Sequence, residues 1–143
     1  MSQETAPLRP TVMVVDDEPR VLQLLEKILG EEGYLVVTAT SGERALALAA
    51  EARPDLIVLD IVMPGLDGVA TLRELRRRGQ RSPVIMLTAQ GTVETAREAM
   101  ILGAHDYVTK PFNLEFLKSA LREGLRDGPA AGRDGRRPRA CAR

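Results

Sequence analysis

Five short apolar runs, each followed by a stretch with helical spacing, restrict this chain to few folds. The runs are Thr11 to Val15, Tyr34 to Ala39, Leu56 to Asp60, Val84 to Thr88 and Asp106 to Thr109. Most are rich in Val, Ile and Leu and all are too short for helices, so they are predicted to be buried strands. Val21, Leu24, Leu25 and Ile28 mark a first helix, opened by Pro19 and stopped by Gly30 or Gly33. Ala45, Leu46, Leu48, Ala49 and Ala52 mark a second, running to about Arg53. Thr40 with Glu43 resembles a capping box there, with Ser41 as the alternative cap. The third helix is predicted over Gly68 to Arg78, with Val69, Leu72 and Leu75 inward and Arg73, Arg76, Arg77 and Arg78 outward. The fourth is capped by Thr92, carries Val93, Ala96, Ala99, Met100 and Leu102, and closes at Gly103. The fifth starts at Asn113 and carries Leu114, Leu117, Leu121 and Leu125. Strands alternating with helical crossovers imply an α/β fold, a parallel sheet covered on both faces.

The length of 143 residues suits one domain. Two Phe, two Tyr and no Trp leave the core to Leu, Val, Ile and Ala. Residues 1–10 are polar, with Pro7 and Pro10, and read as a flexible leader before a domain over residues 11–126. From Asp127 the composition turns to Gly, Pro, Ala and Arg without periodicity, so residues 127–143 are expected to be disordered. Arg133, Arg136, Arg137, Arg139 and Arg143 against Asp127 and Asp134 give this tail a net +3, leaving −3 on the rest. A mildly acidic domain carries no nucleic-acid footprint, and the basic tail reads as a linker. The single cysteine, Cys141, excludes an internal disulfide and fits a reducing cytosol. No apolar run reaches membrane-span length and no signal peptide leads the chain, so a cytoplasmic location is expected.

In a parallel sheet all strand carboxyl ends lie on one edge, where open α/β sheets hold ligands. Those ends here are Asp16 and Asp17, Asp60, Thr88 and Lys110. Met63, Pro64, Gly65 and Gly68 end the third strand, so Asp60 is delivered to an exposed loop. Three neighbouring carboxylates would not all stay ionised unpaired. A hard divalent cation such as Mg²⁺ resolves the repulsion. Lys110 adds a phosphate partner and Thr88 a hydroxyl donor. A carboxylate so surrounded tolerates added negative charge and can itself serve as nucleophile, giving an aspartyl phosphate. No Gly-rich phosphate loop is present.

With these motifs in order, the chain resembles the receiver domain of two-component response regulators. The resemblance covers about Thr11 to Arg126 and rests on four motifs together. They are Asp16-Asp17, Asp60-x-x-Met63-Pro64-x-x-Asp67-Gly68, Thr88-Ala89 and Lys110-Pro111-Phe112. It implies a doubly wound (βα)5, flavodoxin-like three-layer sandwich with sheet order 2-1-3-4-5 and a cis Lys110–Pro111 peptide. It implies Asp60 as phosphoacceptor from a sensor histidine kinase or phosphotransfer protein. Mg²⁺, for which Mn²⁺ can substitute, would sit on Asp17, Asp60 and the backbone carbonyl of Val62, with Asp16 acting through water. Lys110 would hold the phosphoryl group, Thr88 would turn toward it, and Tyr107 would follow as the switch aromatic. The face of the fourth helix, fifth strand and fifth helix would meet a downstream protein or a second copy. No other cofactor, no membrane contact and no direct nucleic-acid binding by residues 11–126 are expected, and no enzymatic turnover beyond self-phosphotransfer and slow self-dephosphorylation. Val62 and Gln90 hold the two positions that tune phosphate lifetime in the family. Gly91 to Ala96 and Gly103 to Tyr107 look most like receivers of enhancer-binding transcription activators, so a receiver fragment of such a protein is an alternative.

Blander roles stand beside these. Asp16, Asp17 and Glu18 would also serve as a capping cluster. Asp67 reads as a turn and cap residue, Thr88 as a strand-end hydroxyl and Tyr107 as a half-buried aromatic. His105 lies in a loop, unlike a phospho-donor histidine on an exposed helix. The Arg73 to Arg81 cluster reads as a solvated face. A small Mg²⁺-dependent phosphohydrolase is the alternative from another class. Such enzymes place Asp-x-Asp on the first strand and carry a cap, whereas Asp16 and Asp17 are adjacent and no cap insertion is present. A phosphorylation-independent scaffold would usually lack the acidic pair or the lysine that this chain keeps.

Overall fold

All five apolar runs form strands and all five helical stretches form helices. The computed structural model describes residues 9–89 and 93–127. The predictions for the leader before residue 9, for Gln90, Gly91 and Thr92, for the side chains of Val93 and Ala96, and for the tail beyond Asp127 lie outside the described residues. In chain order the elements are β1 (Thr11–Val15), α1 (Pro19–Glu31), β2 (Leu35–Ala39), α2 (Gly42–Ala52) and β3 (Leu56–Asp60). There follow α3 (Gly68–Arg77), β4 (Val84–Thr88), α4 (Val93–Ile101), β5 (Asp106–Thr109) and α5 (Leu114–Asp127). The sheet is parallel throughout, in the order β2-β1-β3-β4-β5.

The two faces of the sheet are covered separately. Val12, Val14, Val58, Ile85 and Leu87 point toward α1 and α5, where Leu25, Leu29, Leu117 and Leu121 meet them. Met13, Val15, Ile57, Leu59 and Met86 point the other way, onto Ala45, Leu72, Leu75 and Ala99 of α2, α3 and α4. Successive strand residues therefore enter opposite cores, as period-two geometry requires. β3 and β4 are buried at every residue, because they are central and covered on both faces.

Three local expectations are corrected. The buried stripe of α1 is Leu22, Leu25 and Leu29, while Leu24 is 47% exposed. Leu24 follows Leu22 by about 200° of helical turn, which carries it to the outer side. Ser41 caps α2 by accepting from the Arg44 N–H at 3.2 Å, so Thr40 is not the cap. Arg76 does not point outward with its neighbours. Its Nη1 donates to the carbonyls of Gln80 (2.8 Å) and Ser82 (2.9 Å), and its Nη2 to that of Gly103 (3.3 Å). The turns after α3 and α4 leave these carbonyls without helical donors, and the long guanidinium fork reaches all three. Arg73, Arg77 and Arg78 do lie at the surface, paired to Glu98 or Glu74.

Candidate functional site

Four strand ends build one cluster. β1 ends in Asp16, fully buried, and Asp17, exposed. The Asp16 N–H donates to the Ala39 carbonyl at 3.2 Å, which holds the β1 end against β2. Asp16 Oδ1 accepts from the Glu18 N–H at 2.9 Å, tightening the turn into α1. Glu18 is the N-cap residue of α1 but makes no side-chain cap bond. Asp16 thus serves the turn into α1, and Glu18 holds the cap position through its backbone alone.

β3 ends in Asp60, only 4% exposed. The Val62 N–H donates to Asp60 Oδ1 at 3.3 Å. The chain then loops out and returns at Gly68, whose N–H donates to the Ile61 carbonyl at 2.8 Å. A Cβ on Gly68 would overlap the Asp60 carbonyl oxygen, so only glycine lets the loop close this tightly. Asp67 caps α3, accepting from the Ala70 N–H at 2.9 Å, which is its expected turn-and-cap role. β4 ends in the buried Thr88, whose Oγ1 donates to the Ala89 carbonyl at 3.1 Å. The Lys110 N–H donates to the Thr88 carbonyl at 2.7 Å, fixing the end of β5 beside it. The Lys110–Pro111 peptide is cis, as the family resemblance implied.

The charges converge. Lys110 Nζ lies 2.9 Å from Asp16 Oδ2 and 3.3 Å from Asp60 Oδ2. Carboxylate oxygens of Asp16, Asp17 and Asp60 all lie within 4.8 Å of one another. Burial pushes the Asp60 carboxyl up to about 6, and the nearby Asp16 carboxylate pushes the same way. The Lys110 ammonium and the Val62 N–H pull it back only in part. Burial also disfavours the Lys110 ammonium, but its hydrogen bond to Asp16 and the charges of Asp16 and Asp60 outweigh that, so it titrates above the ordinary lysine value. One ammonium against three carboxylates leaves the cluster short of positive charge. The donors are all oxygens, which suits a hard divalent cation.

The remaining candidates lie apart from these charges. Val62 has its side chain outside, 59% exposed, while its backbone N–H, two residues after Asp60, bonds that carboxylate. Tyr107 sits on β5 with its side chain 40% exposed. His105 is buried at the start of β5, and its Nε2 lies 3.0 Å from Asp127 Oδ2. An exposed phospho-donor role does not fit it.

The family model of the response regulator receiver domain matches residues 12–122, spanning every one of these strand ends. The chain belongs to that family. This receiver is 43% identical over 118 residues to the transcriptional regulatory protein TcrA of Mycobacterium tuberculosis, covering 82% of this chain and 47% of TcrA. It is 41% identical over 114 residues to the regulatory protein AtoC of Escherichia coli, covering 80% of this chain and 25% of AtoC. It therefore spans half or less of these relatives' length. Among solved structures, chemotaxis protein CheY4 of Vibrio cholerae matches with a TM-score of 0.78 at 35% identity, covering 82% of this chain and 100% of that one. The receiver domain of NtrX from Brucella abortus matches with a TM-score of 0.77 at 37% identity, covering 80% of this chain and 98% of that one. The flavodoxin-like architecture and the two-component receiver assignment follow from these matches.

Proposed function

We propose that this receiver accepts a phosphoryl group on Asp60 from the phosphohistidine of a sensor kinase or phosphotransfer protein, in a Mg²⁺-dependent step, and that the change alters partner binding. The observation that carries this is the Lys110 ammonium, within 3.3 Å of both Asp16 and Asp60 beside a third carboxylate. Asp17, Asp60 and the Val62 carbonyl are the groups for direct metal contact, with Asp16 acting through water; Mn²⁺ can substitute. A cation held there would neutralise charge on the transferring phosphoryl oxygens.

Asp60 does the chemistry. An oxygen of its carboxylate forms the new bond to phosphorus, and the bond from phosphorus to the imidazole nitrogen breaks. The electron pair stays on that nitrogen, which then takes a proton. Raised to about 6, Asp60 is still mostly ionised at neutral pH and ready as a nucleophile. Lys110 exchanges part of its carboxylate pairing for a phosphoryl oxygen. Thr88 Oγ1 spends its proton on the neighbouring Ala89 carbonyl, a bond it can trade for a phosphoryl oxygen. Tyr107, half outside on the adjacent strand, follows that movement.

The readout surface is the face of α4, β5 and α5. It exposes Ile101 at 78%, with Tyr107, Leu114 and Phe116. Such a run of apolar side chains suits a protein partner or a second copy of this receiver. The relatives named as transcriptional regulators make gene regulation the class of output we propose. The chain acts as a switch without substrate turnover, in the cytoplasm. Among the described residues no helix is long and apolar enough to cross a membrane. Acetyl phosphate with Mg²⁺ is expected to add one hydroxylamine-sensitive phosphate per chain, and EDTA to prevent it. Beryllofluoride is expected to shift the amide signals of Thr88, Tyr107 and α4. Uptake that persists in EDTA, or signals that stay still, would overturn the proposal.

A further inference from the structure

The corner between β2 and α2 brings no charged group to the carboxylate cluster, yet it touches the segments that do. At one end the Ala39 carbonyl takes the Asp16 N–H. Three residues on, Gly42 opens α2 and lies buried against the segment returning from Asp60. A Cβ on Gly42 would overlap Thr71 Oγ1 and stand only 2.7 Å from the Leu66 carbonyl oxygen and 3.1 Å from Leu66 Cβ. Backbone oxygen has nowhere to retreat without moving the loop that carries it. The Glu43 carboxylate lies over the same loop, 3.5 Å from where a Gly65 Cβ would stand. Thr71 is fully buried, and its Oγ1 donates to the Asp67 carbonyl at 2.7 Å, with the Leu66 carbonyl at 3.5 Å. The 61–68 segment is therefore held at its base by Gly68 on the Asp60 carbonyl and on its flank by Gly42 and Thr71.

We infer that Gly42, packed on Thr71 and Leu66, is a positioning residue that sets the spacing between the Asp16–Asp17 turn and the loop that follows Asp60. This rests on the phosphoacceptor assignment only for its chemical consequence; the loop's placement is a property of the metal-free protein. The spacing governs whether oxygens from both sides can share one cation. Displacements near 1 Å at such a site cost on the order of a hundredfold in rate, and part of that displacement suffices for a readable effect.

Gly42→Ala is the test, with Gly30→Ala as its control, because no atom stands within 4 Å of a Cβ at Gly30. Amide hydrogen exchange of residues 61–71 without metal reads the loop, and acetyl phosphate labelling reads the consequence. Gly42→Ala is expected to raise exchange at Gly68 and to slow labelling at least about tenfold. Thr71→Ala alone loses the bond to the Asp67 carbonyl and is the reference; in that background, where the overlapping hydroxyl is gone, adding Gly42→Ala should cost less in both readouts than it does in the wild-type chain. Gly30→Ala should leave both at wild-type values. Wild-type labelling in Gly42→Ala overturns the inference, as does a cost of Gly42→Ala that is undiminished in the Thr71→Ala background. Should Gly42→Ala fail to fold, Thr71→Val carries the test, keeping the volume and losing the donor to Asp67. It is expected to speed exchange through residues 66–71 and to slow labelling, and wild-type labelling there overturns the inference. A wild-type chain that takes no phosphate would sink the phosphoacceptor assignment alone. The exchange comparison would then decide for Gly42, with unchanged exchange counting against it.

Discussion

The two edges of the sheet treat buried polar groups in opposite ways. At the carboxyl edge, Asp16, Asp17 and Asp60 crowd one ammonium, and the carboxylates outnumber the cation among them. At the amino edge the polar groups are consumed by the backbone. Arg76 spans the carbonyls of Gln80, Ser82 and Gly103, Ser82 Oγ donates to the Pro54 carbonyl, and His105 meets Asp127. Arg76 Nε and His105 Nδ1 are the buried side-chain atoms there left without a partner among the described residues. The same strands thus end in a site short of positive charge and begin in a network satisfied but for those two nitrogens. A site that is to accept a cation and a phosphoryl group must keep interactions unspent, whereas a structural edge spends most of its own.

That contrast can be broken at either end. Lys110→Ala should have the largest effect on function, cutting acetyl phosphate labelling about a hundredfold or more, since it removes the donor to the transferring group. Near wild-type labelling would place the phosphoryl partner elsewhere. Arg76→Leu should act on stability and not on labelling. It leaves three carbonyls without their donor and should cost about 2–4 kcal/mol in urea unfolding. A matching loss of labelling in the folded variant would erase the distinction between the edges.

Titration gives a subtler separation. Asp60 titrates higher folded than unfolded, so between about pH 4 and 6 the folded chain holds more protons. In EDTA, stability should therefore fall as pH rises through that window, by up to about 3 kcal/mol. Asp60→Asn should flatten this part of the profile, and a profile that rises instead would contradict the burial argument. The smallest expected effect is that of Asp127→Asn. It weakens the His105 contact at the amino edge by about 1 kcal/mol and leaves labelling unchanged.

Which features the sequence revealed follows the same physics. The strands and their carboxyl ends were legible because a buried parallel strand is a local apolar run and its end is marked by a change of residue type. Asp16, Asp60, Thr88 and Lys110 each close such a run, and topology then brings them together. Arg76 was not legible. Its spacing on α3 matches that of Arg73 and Arg77, and only the carbonyls of the turn after α3 and of the distant turn after α4 draw it inward. Leu24 and Leu22 differ only in helical phase, which one stripe of leucines leaves open. Thr40 and Ser41 are both good caps, and only the backbone position of the Arg44 N–H, which Ser41 takes, distinguishes them. Gly42 and Thr71 gave no signal, because a glycine at a helix start and a threonine inside one are ordinary. Their meaning lies in a contact between α2 and the segment after β3.

Mapping the modified residue tests the central claim most directly. After acetyl phosphate and Mg²⁺, borohydride reduces an acyl phosphate to an alcohol, and peptide mass spectrometry then locates the change. The reduced side chain is predicted at Asp60, with Asp60→Asn giving no modified peptide. Reduction at Asp16 or Asp17, or its persistence in Asp60→Asn, would contradict it.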